Sequence, residues 1–166
     1  MMASAVHVTG LITAVRSAGG IIRRDGDMIE LAARAPLPPD LIARIREAKS
    51  ALLIVLADEP SDWHTRHGEA LVYWSALRPP DEAGQLAWGE LQSRWHWLHG
   101  GVLPKWQCAG CGEPIGGLPA LDLGDGNRAH LDKLDCLMRY GQRWRGAATQ
   151  ALVAMGLRAP VPDDER

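Results

Sequence analysis

The sequence predicts an α+β protein with an N-terminal αββαα module, a Trp-rich helical connector and a small cysteine-bearing module. Three features support this class: apolar residues at helical spacing flank two β-rich runs, most tryptophans lie between the modules, and all three cysteines follow Gln107. A length of 166 residues suits two small modules. The expected bounds are 1–58, 59–107 and 108–158, with a flexible tail at 159–166.

The N-terminal module is predicted from its turn and helix-end signals. Gly19 ends the first apolar stripe as a helix cap would, and the Asp25–Gly26 step supplies the positive φ of a tight hairpin. Pro38 and Pro39 then introduce a second helical stripe. The expected elements are a helix at 6–18, strands at 21–24 and 28–33, and a helix at 41–57 that breaks near Lys49–Ser50.

Two stretches of this module carry a family pattern, GLITAVRSAGGIIRRDGDMIEL and PLPPDLIARIREAKSALLIVLAD. They resemble the TubC N-terminal docking domain, which stands at the front of nonribosomal peptide and polyketide synthase subunits. The resemblance implies homodimerisation and the capture of a short partner tail as an added strand. Two consecutive arginines would favour an acidic tail. The expected partner-binding residues are Arg23, Arg24, Met28, Ile29, Glu30 and Leu31.

The connector is rich in tryptophan and contains a second helix-start signal. Pro79 and Pro80, followed by two acidic residues, predict a helix over 81–99. The tryptophans along this segment favour core packing over ligand stacking, because large aromatic side chains bury much area. We expect this helix to connect the two modules.

The cysteine module begins with Cys108-Ala-Gly-Cys111-Gly, a C-x2-C-G turn that brings two thiolates together. A Gly-Asp-Gly-Asn turn downstream predicts a hairpin that returns His130 to this turn. A helix predicted over 133–155 carries Cys136 in its first turn. The order of knuckle, hairpin and helix resembles treble-clef-like zinc modules. The predicted ligands of a structural zinc ion are Cys108, Cys111, His130 and Cys136.

Other interpretations of these cysteines stay open at this stage. The H-x5-C spacing is longer than usual, so Asp132 or Asp135 could replace one ligand. The thiols could also be unligated, or the CxxC pair could be redox-active. A thioredoxin-type pair requires a helix directly after it, whereas Gly112 and Pro114 follow here. Four protein ligands leave no open position on zinc, so we expect the metal to be structural.

A basic stretch of the last helix supports a different function. Basic side chains on a helix can contact a phosphate backbone, and a tryptophan can stack on a base. The alternative function is a nucleic-acid-binding accessory factor of a mobile genetic element. The whole layout also resembles uncharacterised bacterial proteins carried by mobile elements, a resemblance that specifies no activity. The residues concerned are Arg139, Arg143, Trp144 and Arg145.

Composition limits the remaining function classes. Lys and Arg total 18 against 20 Asp and Glu, so no strong basic field covers the whole chain. The longest apolar run, at 51–57, is far shorter than a membrane span, and no basic leader precedes the N-terminal apolar residues, so we expect a cytoplasmic protein. Phosphate-loop, dinucleotide and serine-nucleophile motifs are absent from the sequence, and the two His-x2-His pairs lack further ligands. We therefore predict a non-enzymatic interaction protein.

Overall fold

The computed structural model describes residues 5–161, so the last residues of the expected tail, 162–166, lie outside the described residues. Helices and two small antiparallel sheets alternate along this part of the chain, which confirms the α+β class. The elements are α1 (Ala5–Ser17), β1 (Gly20–Asp25), β2 (Met28–Ala33), α2 (Pro39–Glu47), α3 (Lys49–Val55), α4 (Pro60–Ser75), α5 (Pro80–His99), β3 (Ala120–Asp122), β4 (Arg128–His130) and α6 (Leu134–Ala154).

The chain divides into two compact units. The first unit combines Met1–Ala57 with Gly101–Leu137, and the second combines Asp58–Gly100 with Met138–Arg166. The first unit therefore holds both sheets and all three cysteines, and the second is helical. The boundary at Leu137 lies inside α6.

The N-terminal part of the first unit has the expected αββαα order. Strands β1 and β2 pair antiparallel with Ile22 opposite Leu31, and Gly26 takes the positive φ of 54° that the turn requires. The expected break of the last helix is confirmed, because Ala48 separates α2 from α3 with φ −89° and ψ 9°. Helix α1 packs against β1, α2 and α3. The buried apolar side chains of these elements include Val8, Leu11, Ile12, Val15, Ile22, Leu41, Ile45 and Leu52.

The second unit is built around two buried tryptophans. Trp63 is fully buried and Trp88 is 5% exposed, and both belong to one apolar cluster with residues of α4, α5 and the end of α6. Trp74 and Trp95 pack against the same cluster and are partly buried. The expected core role of these tryptophans is thus confirmed, whereas Trp106, in the first unit, is 60% exposed.

Helix α4 was not expected from the sequence. The proline and the acidic residues at 58–62 indicate a boundary, but they also start this helix. Pro60 lies in its first turn, and the Asp62 carboxylate accepts a hydrogen bond of 3.0 Å from the Glu59 N–H. Such an acidic residue also suits the positive end of the helix dipole. The connector therefore contains two helices, α4 and α5, and not the single expected one.

Asp58 links the start of α4 to the end of α5 within the second unit. Its Oδ1 accepts hydrogen bonds from Trp63 Nε1 at 2.8 Å and from His99 Nε2 at 3.1 Å. Burial raises the pKa of Asp58, but the hydrogen bonds from His99 and Trp63 and the charges of His99 and Arg66 outweigh it and hold the pKa below its ordinary value. The ionised carboxylate is therefore the form that the fold favours.

This pKa shift predicts a loss of stability in acid. Because the pKa of Asp58 is lower in the folded protein than in the unfolded chain, its stabilising contribution is present above about pH 4 and is lost as the pH falls through the folded pKa. Solvent screening of this half-exposed group limits the contribution to about 1 kcal/mol. Denaturant unfolding of the second unit between pH 6 and pH 3 should show a shallower acid slope for Asp58→Asn. An equal slope in the variant and the wild type would contradict this account.

Within residues 5–161, no helix has the length and apolar character that crossing a membrane requires.

Candidate metal centre

The turn that carries Cys108 and Cys111 is closed by backbone hydrogen bonds. The Cys108 N–H donates to the Glu113 carbonyl at 2.9 Å, and the Gly112 N–H donates to the Cys108 carbonyl at 2.8 Å. Gly112 has φ 80°, a value that few residues other than glycine adopt, and the Gly110 N–H points at Cys108 Sγ at 3.3 Å. The sequence C-x2-C-G therefore forms the predicted knuckle.

The hairpin of β3 and β4 brings His130 to this knuckle. Ala120 pairs with His130 in the antiparallel register, and the Ala109 N–H donates to the Arg128 carbonyl at 2.8 Å, which joins the knuckle directly to β4. His130 is only 3% exposed. The predicted position of this imidazole beside the cysteines is confirmed.

The two nitrogens of His130 have different neighbours. Nδ1 lies 3.5 Å from Cys111 Sγ and 3.7 Å from Cys136 Sγ, whereas Nε2 lies 3.3 Å from the Pro114 carbonyl oxygen. Because a carbonyl only accepts hydrogen bonds, Nε2 must carry the proton when this bond forms. The lone pair of Nδ1 then faces the sulfurs, so Nδ1 is the ligand atom that His130 offers.

Helix α6 supplies the third cysteine from its first turn. The Cys136 N–H donates to the Lys133 carbonyl at 2.9 Å, and Cys136 is 3% exposed. A Cβ atom placed on Gly110 would lie 2.3 Å from the Cys136 carbonyl oxygen and 2.4 Å from its Cα. The start of the helix thus packs on the backbone of the knuckle at a distance that only glycine permits.

The four side chains form one compact donor set. One sulfur from each of Cys108, Cys111 and Cys136 and one nitrogen of His130 all lie within 4.8 Å of one another. Bond lengths of about 2.3 Å to sulfur and 2.0 Å to nitrogen in a tetrahedral site place neighbouring ligand atoms roughly 3.5–3.8 Å apart. The sulfur–nitrogen distances of 3.5 and 3.7 Å match that spacing. The geometry is compatible with a metal site, and the three cysteines are free thiols.

The acidity of the thiols differs within this set. Burial raises the pKa of Cys108, but hydrogen bonds from the backbone N–H groups of Cys111, His130 and Gly110 outweigh it and lower the pKa to about 6. Burial, together with hydrogen bonds and repulsion from Cys111 and Cys108, raises the pKa of Cys136 to about 12. Without a cation the protein favours the thiolate of Cys108 and resists the ionisation of Cys136. A bound divalent ion would remove that resistance, because it stabilises several thiolates at once.

The carboxylates considered as substitute ligands lie outside this group. Asp132 and Asp135 are exposed and do not belong to the four-residue set. Lys133, which lies between these two aspartates in the sequence, forms an ion pair in which its Nζ is 3.4 Å from Glu113 Oε2. The hydrogen bond to Glu113 is the main cause that raises the pKa of Lys133, and the nearby charges of Cys111 and Cys136 add to it.

Asn127 holds the segment before the knuckle against the hairpin, a role that the sequence did not indicate. Its Oδ1 accepts a hydrogen bond from the Leu103 N–H and its Nδ2 donates to the Gly101 carbonyl, both at 2.9 Å. The side chain is 2% exposed. The Gly-Asp-Gly-Asn sequence predicted only the turn, because the distant partners of a side chain leave no mark in local spacing.

Asn127→Ala should therefore destabilise the first unit. The change leaves one N–H and one carbonyl without their buried partner, which typically costs about 2–4 kcal/mol for the two bonds. Denaturant unfolding and hydrogen exchange should show lower stability and faster exchange of the Leu103 amide. Gln107→Ala is the matched control, because its amide bonds the Gly112 carbonyl at an exposed position and its loss should cost less than about 1 kcal/mol. Equal effects of the two variants would contradict the role of Asn127.

The predicted partner-binding residues lie on the β1–β2 hairpin. Arg23 stands opposite Glu30 and is exposed, and Met28 is 61% exposed. The guanidinium of Arg24 is already bonded within the first unit, because it donates hydrogen bonds to the Gly26 and Leu53 carbonyls. Ile29 and Leu31 are half-buried.

The predicted nucleic-acid contacts lie on α6 in the second unit. Arg139, Arg143 and Arg145 are exposed, whereas Trp144 is half-buried. The Trp144 ring stacks on the His96 ring with a centroid distance of 4.7 Å, and the Arg145 guanidinium lies 5.3 Å from the Trp144 centroid. One face of this tryptophan is thus occupied by the protein's own histidine.

The two His-x2-His pairs do not form a second metal site in the part of the chain that the structure describes. His64 Nε2 lies 3.0 Å from the Met155 carbonyl, and His96 Nε2 lies 2.9 Å from the Tyr140 hydroxyl. These imidazoles bind neighbouring groups of the second unit.

The resemblance to docking domains stays a prediction, because no comparison with known proteins tests it. Comparison of the chain with models of protein families, with curated proteins and with solved structures found no match.

Proposed function

We propose that Cys108, Cys111, His130 and Cys136 bind one structural zinc ion in a non-enzymatic adaptor protein. The main support is the compact set of three sulfurs and one nitrogen within 4.8 Å. Thiolate and imidazole ligands in tetrahedral geometry favour zinc over the hard cations, which prefer oxygen. Four protein ligands fill the coordination sphere, so the ion stabilises the fold and activates no water.

The metal assignment is tested by elemental analysis and by spectroscopy. Purified protein should contain one zinc per chain, and cobalt substitution should produce the visible absorption of a tetrahedral thiolate site. A protein that lacks stoichiometric metal after purification, and also fails to bind added zinc or cobalt under reducing conditions, would contradict the assignment.

The adaptor role rests on the hairpin of β1 and β2. Among residues 5–161, β1 and β2 pair only with each other, and the apolar side chains Ile21 and Met28 are 50% and 61% exposed. An added partner strand would bond free backbone groups and cover these side chains. An acidic tail would suit Arg23. The partner is a protein or peptide tail, and a second copy of the chain can use the same surface.

Selection from a displayed random-peptide library tests this role. We expect peptides with alternating apolar and acidic residues, and we expect Arg23→Glu to weaken their binding by at least tenfold. Arg46→Glu is the matched control, because this exposed arginine belongs to α2 and not to the hairpin. Failure to select any peptide, together with a strictly monomeric mass in solution, would contradict the role.

A second candidate function is nucleic-acid binding. The observation that favours it is the set of exposed arginines at 139, 143 and 145 on one helix. Filter binding at low salt tests it with single-stranded and duplex DNA and RNA. Binding should fall steeply with salt and weaken when all three arginines become Glu. Absence of retained nucleic acid at low salt would exclude this function.

A further inference from the structure

A groove lined by charged and apolar side chains lies between α4 and α5 in the second unit. Its volume is about 310 Å³, at the lower end of the roughly 300–1,000 Å³ of small-molecule sites. Arg66, Glu69 and Tyr73 line it from α4, with Glu90 and Arg94 from α5. The groove therefore combines two positive and two negative side chains in a space that suits a ligand of amino-acid size.

The two guanidinium groups are held close together and partly withdrawn from water. Burial lowers the pKa of Arg66, and the positive charge of Arg94 lowers it further. Burial also lowers the pKa of Arg94. Two arginines that repel each other in a partly buried groove gain most from an anionic group bound between them, and a carboxylate matches the planar guanidinium best.

One hydrogen-bond donor in this groove lacks an acceptor. The Nε atom of Arg94 is buried, and no hydrogen-bond partner within residues 5–161 reaches it. Buried donors are normally bonded, so a rotation of the Arg94 side chain that brings this N–H to an acceptor in the groove would be favourable. A ligand carboxylate would supply that acceptor.

The two glutamates determine what else the ligand must carry. Glu69 and Glu90 both act on Arg94 as opposite charges, so the groove has no net positive charge to hold a simple dianion. The Trp74 indole N–H donates to Glu90 Oε2 at 3.0 Å, which fixes that carboxylate in place. A ligand that carries an ammonium group beside its carboxylate could pair with the glutamates and the arginines at the same time.

We propose that this groove binds a small zwitterion of the α-amino acid class, with its carboxylate at Arg66 and Arg94 and its ammonium at Glu69 and Glu90. The ligand side chain would lie against Leu91 and the Tyr73 ring at the rim, where Tyr73 is 59% exposed. The residues used all belong to the second unit, whereas the four candidate metal ligands belong to the first.

Calorimetric titration of the full chain with leucine, methionine and tyrosine tests the proposal. At least one of them should bind saturably at one site, with a dissociation constant below about 10 mM. For leucine, the matched analogues are N-acetyl-leucine, which lacks the ammonium, and leucinamide, which lacks the carboxylate; equivalent analogues serve for the other two. Each analogue should bind at least tenfold more weakly than its parent amino acid.

Variants identify the groove as the binding site. Arg94→Gln should weaken binding at least tenfold, and Glu69→Gln should remove the preference for the amino acid over its N-acetyl analogue. Arg78→Gln is the control, because this exposed arginine lies in the loop between α4 and α5 and does not line the groove. Thermal unfolding shows whether each variant is folded. If one of the two groove variants does not fold, the other is enough to test the site.

Three results would overturn the proposal. The first is the absence of saturable binding by all three amino acids. The second is unchanged binding in a folded Arg94→Gln or Glu69→Gln variant. The third is equal affinity for an amino acid and its N-acetyl analogue, which would show that only the carboxylate is recognised.

Discussion

Cys108→Ser should release the metal and unfold the cysteine-bearing part of the first unit. The buried apolar residues around the site form only a small cluster, which is Cys108, Ile115, Ala129 and Cys136, and two of these are proposed ligands. Such a core cannot offset the conformational entropy that is lost when about thirty residues become ordered. This cost is on the order of 1–2 kcal/mol per residue for the backbone alone. Metal binding in comparable small modules contributes on the order of 10 kcal/mol.

Hydrogen exchange should locate the loss. We expect fast exchange from the knuckle to β4 in Cys108→Ser, and the same pattern in wild type treated with a strong chelator. Protection of α1 should remain, because α1 packs against β1, α2 and α3, and its buried residues Leu11 and Ile12 are not among the four candidate ligands. The later turns of α6 should also stay protected, since Leu152 is packed in the cluster of Trp63 and Leu91.

The outcome separates the three interpretations of the cysteines. A structural metal predicts equal effects of the variant and the chelator. Unligated thiols predict that neither has a large effect, because serine replaces the Cys108 side chain with little change of shape. A redox pair predicts that oxidants, and not chelators, change the exchange of wild type. Native protection across the knuckle in Cys108→Ser would therefore reject the metal centre.

Local signals in the sequence were sufficient for most of the metal centre. The C-x2-C-G turn, the Gly-Asp-Gly-Asn hairpin and the cysteine at the start of a helix each depend on residues within a few positions of one another. Turn and cap residues act through local backbone geometry, so their spacing predicts structure reliably. The order of these elements brings their four donor atoms together, and all of them lie within 4.8 Å of one another.

Features that depend on distant packing could not be predicted in this way. The chain at 58–62 shows signals shared by domain boundaries and helix starts, and only the packing of Trp63 against Leu91 and Leu152 makes α4 a core helix. Similarly, the spacing of α6 predicts an apolar stripe but not that its first turn belongs to one unit and its remainder to the other. The buried bonds of Asn127 are long-range in the same sense.

Gly110→Ala should abolish high-affinity metal binding although no ligand is changed. The added Cβ would lie 2.3 Å from the Cys136 carbonyl oxygen and 2.5 Å from its Cβ. With the proposed ion bound, neither the knuckle nor the start of α6 could move aside freely, because each would carry a ligand of that ion. The helix must therefore shift away by about 1 Å, and that shift displaces one sulfur from a site that tolerates about 0.2 Å. We expect at least a hundredfold loss of metal affinity.

Competition with a chromophoric chelator measures this affinity, and Gly117→Ala provides the control. A Cβ on Gly117 meets nothing within 4 Å, so this variant differs by the same methyl group and should bind metal as wild type does. The two glycines also separate strain from packing, because neither has a positive φ and the alanine itself is allowed at both backbones. Equal metal affinity of the two variants would mean that the close approach of Gly110 to Cys136 does not position the fourth ligand. A loss of metal affinity in Gly110→Ala alone would instead show that α6 can place Cys136 at the metal only when residue 110 has no side chain.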